Sequence, residues 1–233
     1  MLFAAVIAFG GVIWCVLAYE YPKLEARYQA GSVLGAIGSL FGGLAFAALV
    51  YTLFLQKQVL ERLGQQAFET MLVQLIGFHH EIIGEIHARS GITDVGGRDA
   101  IRHLTETLES IVNVNRQEDA QFPPLQVVRR LYEQFYHANG AHLDHYFRSL
   151  YHIIKYIDQS SASDARQYTS LVRAQLSPSE LQLLFYAGLS EQGEKFKPLI
   201  EKYALLEQLP TNQPAILTRR TLYQPSAYGH AAN

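Results

Sequence analysis

The stretch HLDHYFRSLYHIIKYID, residues 142–158, places His142, His145, Arg148 and His152 among apolar residues at helical spacing. Imidazoles exchange protons near neutral pH and ligate metals, and a guanidinium grips phosphate oxygens in a planar fork. At about 100° per residue, Leu143, Phe147, Leu150, Ile154 and Ile157 fall within about 80° of one another and define a core face. His142, His145, Ser149, His152 and Tyr156 gather about 150° or more from its centre, with Arg148 and Lys155 beside them. One apolar stripe and one histidine-rich stripe are thus segregated on one helix.

Three chemistries are open to that polar stripe. His142, His145 and His152 could present nitrogens to a metal, but no carboxylate joins them and one helix rarely supplies three ligands over such a length, so no metal is expected. Arg148 and His152, perhaps with His145, are similar to the Arg–x4–6–His pair of HEPN-type ribonucleases, helical domains common in bacterial defence. There the pair would steer and acid–base catalyse cleavage of an RNA phosphodiester. Only three residues separate the two here, although i,i+4 spacing still places them on one surface. In the third chemistry the stripe packs on another helix or a partner through hydrogen bonds, with Arg148 paired to a carboxylate. No glycine-rich phosphate loop, Cys/His zinc set or GxSxG elbow occurs, so no cofactor is expected.

The elements that position this helix begin in a membrane. The chain is 49% hydrophobic and only 17% charged, against about 25% charged in ordinary soluble domains. No charged residue precedes Glu20, and none lies between Arg27 and Lys57. Runs of about 17–25 apolar residues match a bilayer core of about 30 Å. Spans near residues 2–18 and 32–55 are expected, so that 1–56 forms a two-helix transmembrane hairpin. Trp14, Tyr19, Tyr21 and Tyr28 flank the inter-span loop, where amphipathic rings favour the interface. Gly31 and Gly35, then Gly38 and Gly42, form two small-xxx-small pairs that let helix backbones approach closely, whether against the first span or, by self-association, against another subunit. With an even number of spans, both termini share one side, here the cytoplasm. The lone Cys15 lies inside the first span, and a cysteine-free remainder suits a reducing compartment. Net charge is −2; with no basic stripe, nucleic acid is not an expected partner.

Beyond the second span the pattern is helical to residue 209. Leu72, Leu75, Ile82 and Ile86 recur at 3/4 spacing with His79 between them, predicting one helix over 57–87, about 46 Å long at about 1.5 Å per residue. A loop is expected at 90–97, and an amphipathic helix follows with Ile101, Leu104, Leu108 and Ile111 on one face. After a loop at 115–124, Pro124 opens a helix through Phe135 and Tyr136, and the histidine helix comes next. Asp164–Gln175 forms another helix. Ser177-Pro178-Ser179-Glu180 is a capping box that opens a helix through LQLLFYAGL. Residues 195–209 form the last helix, with Pro198 in its first turn. From Pro210 to the end proline and small polar residues replace periodicity, and a flexible tail is expected. The fold class is all-α: the hairpin, a long juxtamembrane helix and a cytoplasmic helical bundle over 57–209.

HYFRSLYHIIKYID (145–158), with YTSLVRAQLSPSELQLLFYAGLSEQGEKFKPLIEKYALLEQL (168–209), resembles the putative phage abortive infection protein family, the AbiC-like proteins. Positions matching its recurring pattern are Tyr146, Phe147, Arg148, Leu150, Tyr151, Arg173, Gln175, Leu176, Ser177, Lys195, Phe196, Lys197 and Pro198. The resemblance implies a bacterial inner-membrane protein that limits phage spread by harming or arresting the infected host, and it supplies no catalytic residue. The expected partners are the lipid bilayer and further copies of the chain, from the apolar spans and glycine pairs, with a defence-system or phage protein besides. The first expectation is therefore a membrane-disrupting effector rather than an enzyme. A membrane-tethered ribonuclease and a non-enzymatic scaffold are the alternatives.

Overall fold

The computed structural model describes residues 24–90, 93–115, 123–160, 164–211 and 213–229. The expected first span, at residues 2–18, and the turn of the hairpin lie outside them. By chain contacts the molecule divides into two units, Met1–Gly64 and Gln65–Asn233.

Within the first unit, the second expected span is helical. It belongs to α1, Leu24–Glu85, a single element of 62 residues. The span and the juxtamembrane segment are therefore one helix. No proline interrupts it, and its uncharged apolar run reaches a mean hydropathy of 2.1. It is one helix long and apolar enough to cross a membrane. Its large side chains face outward on every side, with Leu40, Phe41, Leu44 and Phe46 each 60–70% exposed. In water such exposure would be costly at about 25 cal/mol per Å² of apolar surface, whereas in lipid it costs nothing.

The second unit is mainly helical. The end of α1 contributes Leu72, Ile83 and Ile86 to its core, while Leu75 and Ile82 are half-buried. The expected loop at 90–97 is instead an antiparallel hairpin, with β1 (His87–Ser90) pairing β2 (Thr93–Gly96) in the register Ala88↔Val95. This short hairpin is a small exception, and the described residues are otherwise helical, consistent with the all-α expectation. Strands of four residues are too short to display period-2 alternation, which is why the sequence hides them. Gly97 follows at φ +65, a left-handed conformation open to glycine, and its N–H donates to the Ile86 carbonyl at 2.8 Å. That turn launches α2 (Gly97–Val114), which buries Ile101, Leu104 and Leu108 as its periodicity requires.

Pro124 opens α3, and α3 runs without a stop to Gln159. The two helices expected on either side of residue 140 are one element of 36 residues. Gly140 costs a helix about 1 kcal/mol relative to alanine, and continuous burial of Tyr132, Phe135, Leu143 and Tyr146 outweighs it. The short α4 (Ala165–Arg173) is capped by the Asp164 carboxylate, which accepts from the Gln167 N–H at 3.1 Å. The capping box forms as the sequence requires: Ser177 accepts from the Glu180 N–H, and Glu180 accepts from the Ser177 N–H at 2.7 Å, opening α5 (Pro178–Ala187). Regular helix in α6 covers only Lys197–Lys202. Ala204 then takes φ +51, and a left-handed residue cannot continue an α-helix.

After Pro210 a flexible tail is expected, but α7 (Pro214–Leu217) and two 3-10 turns, Arg220–Leu222 and Pro225–Tyr228, close over the bundle. Ile216, Tyr223 and Ala227 are buried. The Tyr223 hydroxyl donates to the Phe185 carbonyl at 2.9 Å, and the Leu206 N–H donates to the Ala227 carbonyl at 3.0 Å. Single-turn elements carry no legible period, so apolar anchors spaced irregularly read as disorder.

Candidate functional site

The bundle positions α3 so that its two stripes meet different surroundings. Leu143, Leu150, Ile154 and Ile157 are buried as expected and are joined by Tyr146 and Ile153, whereas Phe147, expected on the core face, is half-buried. The polar stripe divides. Ser149 faces α1, its hydroxyl 3.2 Å from His79 Nδ1. Tyr156 stacks on Phe68 with ring centroids 5.2 Å apart and planes 15° from parallel. His145, Arg148 and His152 are exposed instead. The stripe thus packs on a helix through Ser149 and Tyr156, and not through its basic members. The His142 side chain lies outside the described residues.

Arg148 is separated from the two histidines by what it borders. It lines a cleft of about 340 Å³. From α3 come Tyr132, Tyr136, Asp144, Phe147 and Tyr151, and from the α5–α6 connection come Ser190, Gln192, Lys195 and Phe196. His145 and His152 are not among its lining residues. Arg148 does not make the expected ion pair with a carboxylate among the described residues. Among them, too, no group of three or more His, Cys, Asp or Glu side chains is placed to hold a metal.

The cleft floor is an i,i+4 ladder on α3: Tyr132, Tyr136, Gly140, Asp144 and Arg148. The Tyr136 ring lies over Gly140, where a Cβ would meet ring atoms at 3.0–3.1 Å. Lacking that Cβ, Gly140 lets the ring lie along the helix so that its hydroxyl donates to the Asp144 carboxylate. Burial, then this bond, pushes the Tyr136 phenol up to about 12, so it stays protonated and Asp144 stays the acceptor. Tyr132 stacks on Tyr136 at 6.0 Å and is 1% exposed. On the opposite wall, the Phe196 ring meets the Tyr151 ring edge-on at 5.6 Å. Ser190 shapes that wall, donating its hydroxyl to the Ala187 carbonyl at 2.6 Å and accepting from the Gly193 N–H at 3.2 Å.

A second polar cluster is internal and structural. Glu180 is fully buried at the start of α5, accepting from the Ser177 N–H and from the Tyr146 hydroxyl at 3.2 Å, with Arg98 at 3.9 Å. A helix N-terminus favours this negative charge. Burial, with the Glu180 charge adding to it, pushes the Tyr146 phenol well above its usual range. His79 packs beside it, ring centroids 4.9 Å apart, and is 5% exposed. Burial above all, with His80 and Arg98 adding, pulls the His79 imidazole down to about 4. Folded His79 is therefore neutral while the unfolded chain takes up a proton below about 6.5. Its contribution is fully present above pH 6.5 and is lost as pH falls towards 4, by about 3 kcal/mol in all. Melting curves of the full-length protein should lose less stability between pH 7 and 4 in His79→Gln than in wild type. Equal losses would show that His79 titrates normally.

Among the described residues the glycine pairs of α1 are open. A Cβ added at Gly31, Gly35, Gly38 or Gly42 would meet nothing within 4 Å.

Phe147, Arg148, Tyr151, Lys195 and Phe196, all positions of the family-like pattern, converge on the cleft from sequence positions far apart. The sequence signalled Arg148 also through the polar stripe and Phe147 through the core face, but Tyr151, Lys195 and Phe196 only through that pattern. The ladder of Tyr132, Tyr136 and Asp144 was also legible as a repeat of four, but its cleft needs the wall from residues 188–196.

The family model described as "Putative phage abortive infection protein" matches residues 139–214. No curated protein and no solved structure matches the chain. The match begins near the middle of α3 and ends at the first residue of α7, so it contains Asp144, Arg148, Lys195 and Phe196 but not Tyr132 or Tyr136.

Proposed function

We propose that this chain, which over residues 139–214 is similar to phage abortive infection proteins, is a membrane-anchored effector of bacterial antiphage defence. Residues 2–18 and 32–55 form an inner-membrane hairpin with both termini in the cytoplasm. The helical domain senses a trigger or a partner protein and changes its association. The change passes along α1 to the Gly31, Gly35, Gly38 and Gly42 surfaces, and the repacked spans permeabilise the membrane. The observation that carries the reading is that α1 has no break between its apolar run and the segment that enters the bundle core. A continuous helix converts a shift at one end into a shift at the other, and backbone-close glycine packing tolerates little displacement.

The test is membrane potential, followed with a voltage-sensitive dye in cells producing the full-length protein during phage infection. Depolarisation before lysis is expected. Growth arrest with an intact potential would overturn membrane disruption as the activity.

A further inference from the structure

The cleft beside Arg148 has the attributes of a small-molecule site. Ligand pockets occupy about 300–1,000 Å³ and combine apolar walls with a few convergent polar groups, and this one holds about 340 Å³. Two cations border it, Arg148 and Lys195, both exposed and neither in an ion pair among the described residues. A guanidinium beside an ammonium is a donor set for a phosphate or carboxylate.

The same cleft carries the opposite chemistry as well. Asp144 sits one helical turn before Arg148, about 6 Å along the axis at about 1.5 Å per residue. It accepts the Tyr136 hydroxyl, which leaves its remaining lone pairs open to a donor. Tyr132 is 1% exposed, borders the cleft, and its hydroxyl makes no hydrogen bond among the described residues. That hydroxyl is not among the sealed polar atoms left without a partner, so it meets the cleft and is open to a ligand's polar group there. The Phe147 and Tyr151 rings also line the cleft, surfaces on which a planar ring can stack.

We infer that this cleft binds a mononucleotide: a phosphate held by Arg148 and Lys195, and a base stacked on the aromatic wall that donates an N–H to Asp144 and bonds the Tyr132 hydroxyl. Two cations, aromatic faces and a carboxylate acceptor line one cleft, the three kinds of group that a nucleoside monophosphate's phosphate, ring face and amino edge call for. The inference deepens the trigger-sensing part of the proposed function and relies on that reading only for its biological role.

Titration calorimetry of the full-length protein in detergent tests it, with the four ribonucleoside monophosphates and inorganic phosphate as probes. At least one monophosphate is expected to bind saturably and at least tenfold more tightly than phosphate. Arg148→Gln and Lys195→Gln each weaken it about tenfold. Tyr132→Phe, which keeps the ring and its packing, weakens the nucleotide severalfold and leaves phosphate unchanged. The inference is overturned if no monophosphate saturates, if neither cation variant alters binding, or if only oligoribonucleotides bind. If the cation variants do not fold, Tyr132→Phe decides: unchanged nucleotide affinity sinks the assignment. Binding without depolarisation would remove the effector reading and leave the site standing.

Discussion

Gly38→Leu and Gly42→Leu are expected to abolish depolarisation while leaving expression and membrane insertion intact. Each replacement adds apolar surface to an already apolar helix, so partition into lipid is not weakened. Neither glycine has an atom within 4 Å of where a Cβ would stand, so a leucine creates no clash within the described chain. The only contact it can spoil is with another helix. Small residues at such a contact let backbones approach, and an isobutyl group forces them apart at a cost of about 1–2 kcal/mol, on the order of tenfold in association. Leu40 provides the control. It is 63% exposed and lies about 200° around the helix from Gly38 at about 100° per residue, so Leu40→Ala should keep its activity. Dye-reported potential in cells matched for protein level separates the outcomes. Equal depolarisation in Gly38→Leu and wild type would remove glycine packing from the mechanism.

The largest effect on folding is expected at Gly193. A Cβ there would lie 1.9 Å from the Ala187 carbonyl oxygen, 2.7 Å from the Ala187 carbonyl carbon and 2.9 Å from the Gly188 Cα. All three are backbone atoms, and none can swing aside as a side chain would. Gly193→Ala must therefore unwind the turn that follows α5, breaking the Gly193 N–H bond to Ser190 and moving Lys195 and Phe196 away from the cleft. The cost is about 3 kcal/mol. That lowers the melting temperature by roughly 6–12 °C for a domain of this size. Gly77→Ala, with nothing within 4 Å of its Cβ position, should leave stability unchanged or slightly raised. A melting temperature within 2 °C of wild type for Gly193→Ala, on the order of half a kcal/mol or less, would show that the turn is softer than its geometry states.

Much of this molecule follows from local rules that act along the chain. The uncharged run from Tyr28 to Gln56 predicts a helix, the conformation that would satisfy its backbone groups in hydrocarbon, and α1 is helical there. The capping box at Ser177 and Glu180, the proline start at Pro124 and the core faces of α2 and α3 follow from spacing alone, since periodicity and capping are local. The resemblance over the histidine helix and its successors was likewise legible, and the family match falls on residues 139–214.

Tertiary structure decided the rest. Whether Gly140 ends a helix depends on the burial available on both sides of it, which no window of sequence contains. The hairpin at 87–96 and the turns after Pro214 are too short for a period, and what fixes them are distant bonds such as Tyr223 to Phe185. The sorting of the polar stripe was decided in the same way. Composition put His145, Arg148 and His152 together as candidates, but only packing shows that Ser149 and Tyr156 turn to α1 and that Arg148 alone borders a cleft. Side-chain type fixes the chemistry a residue can do. The neighbours that make it a site are set by long-range packing.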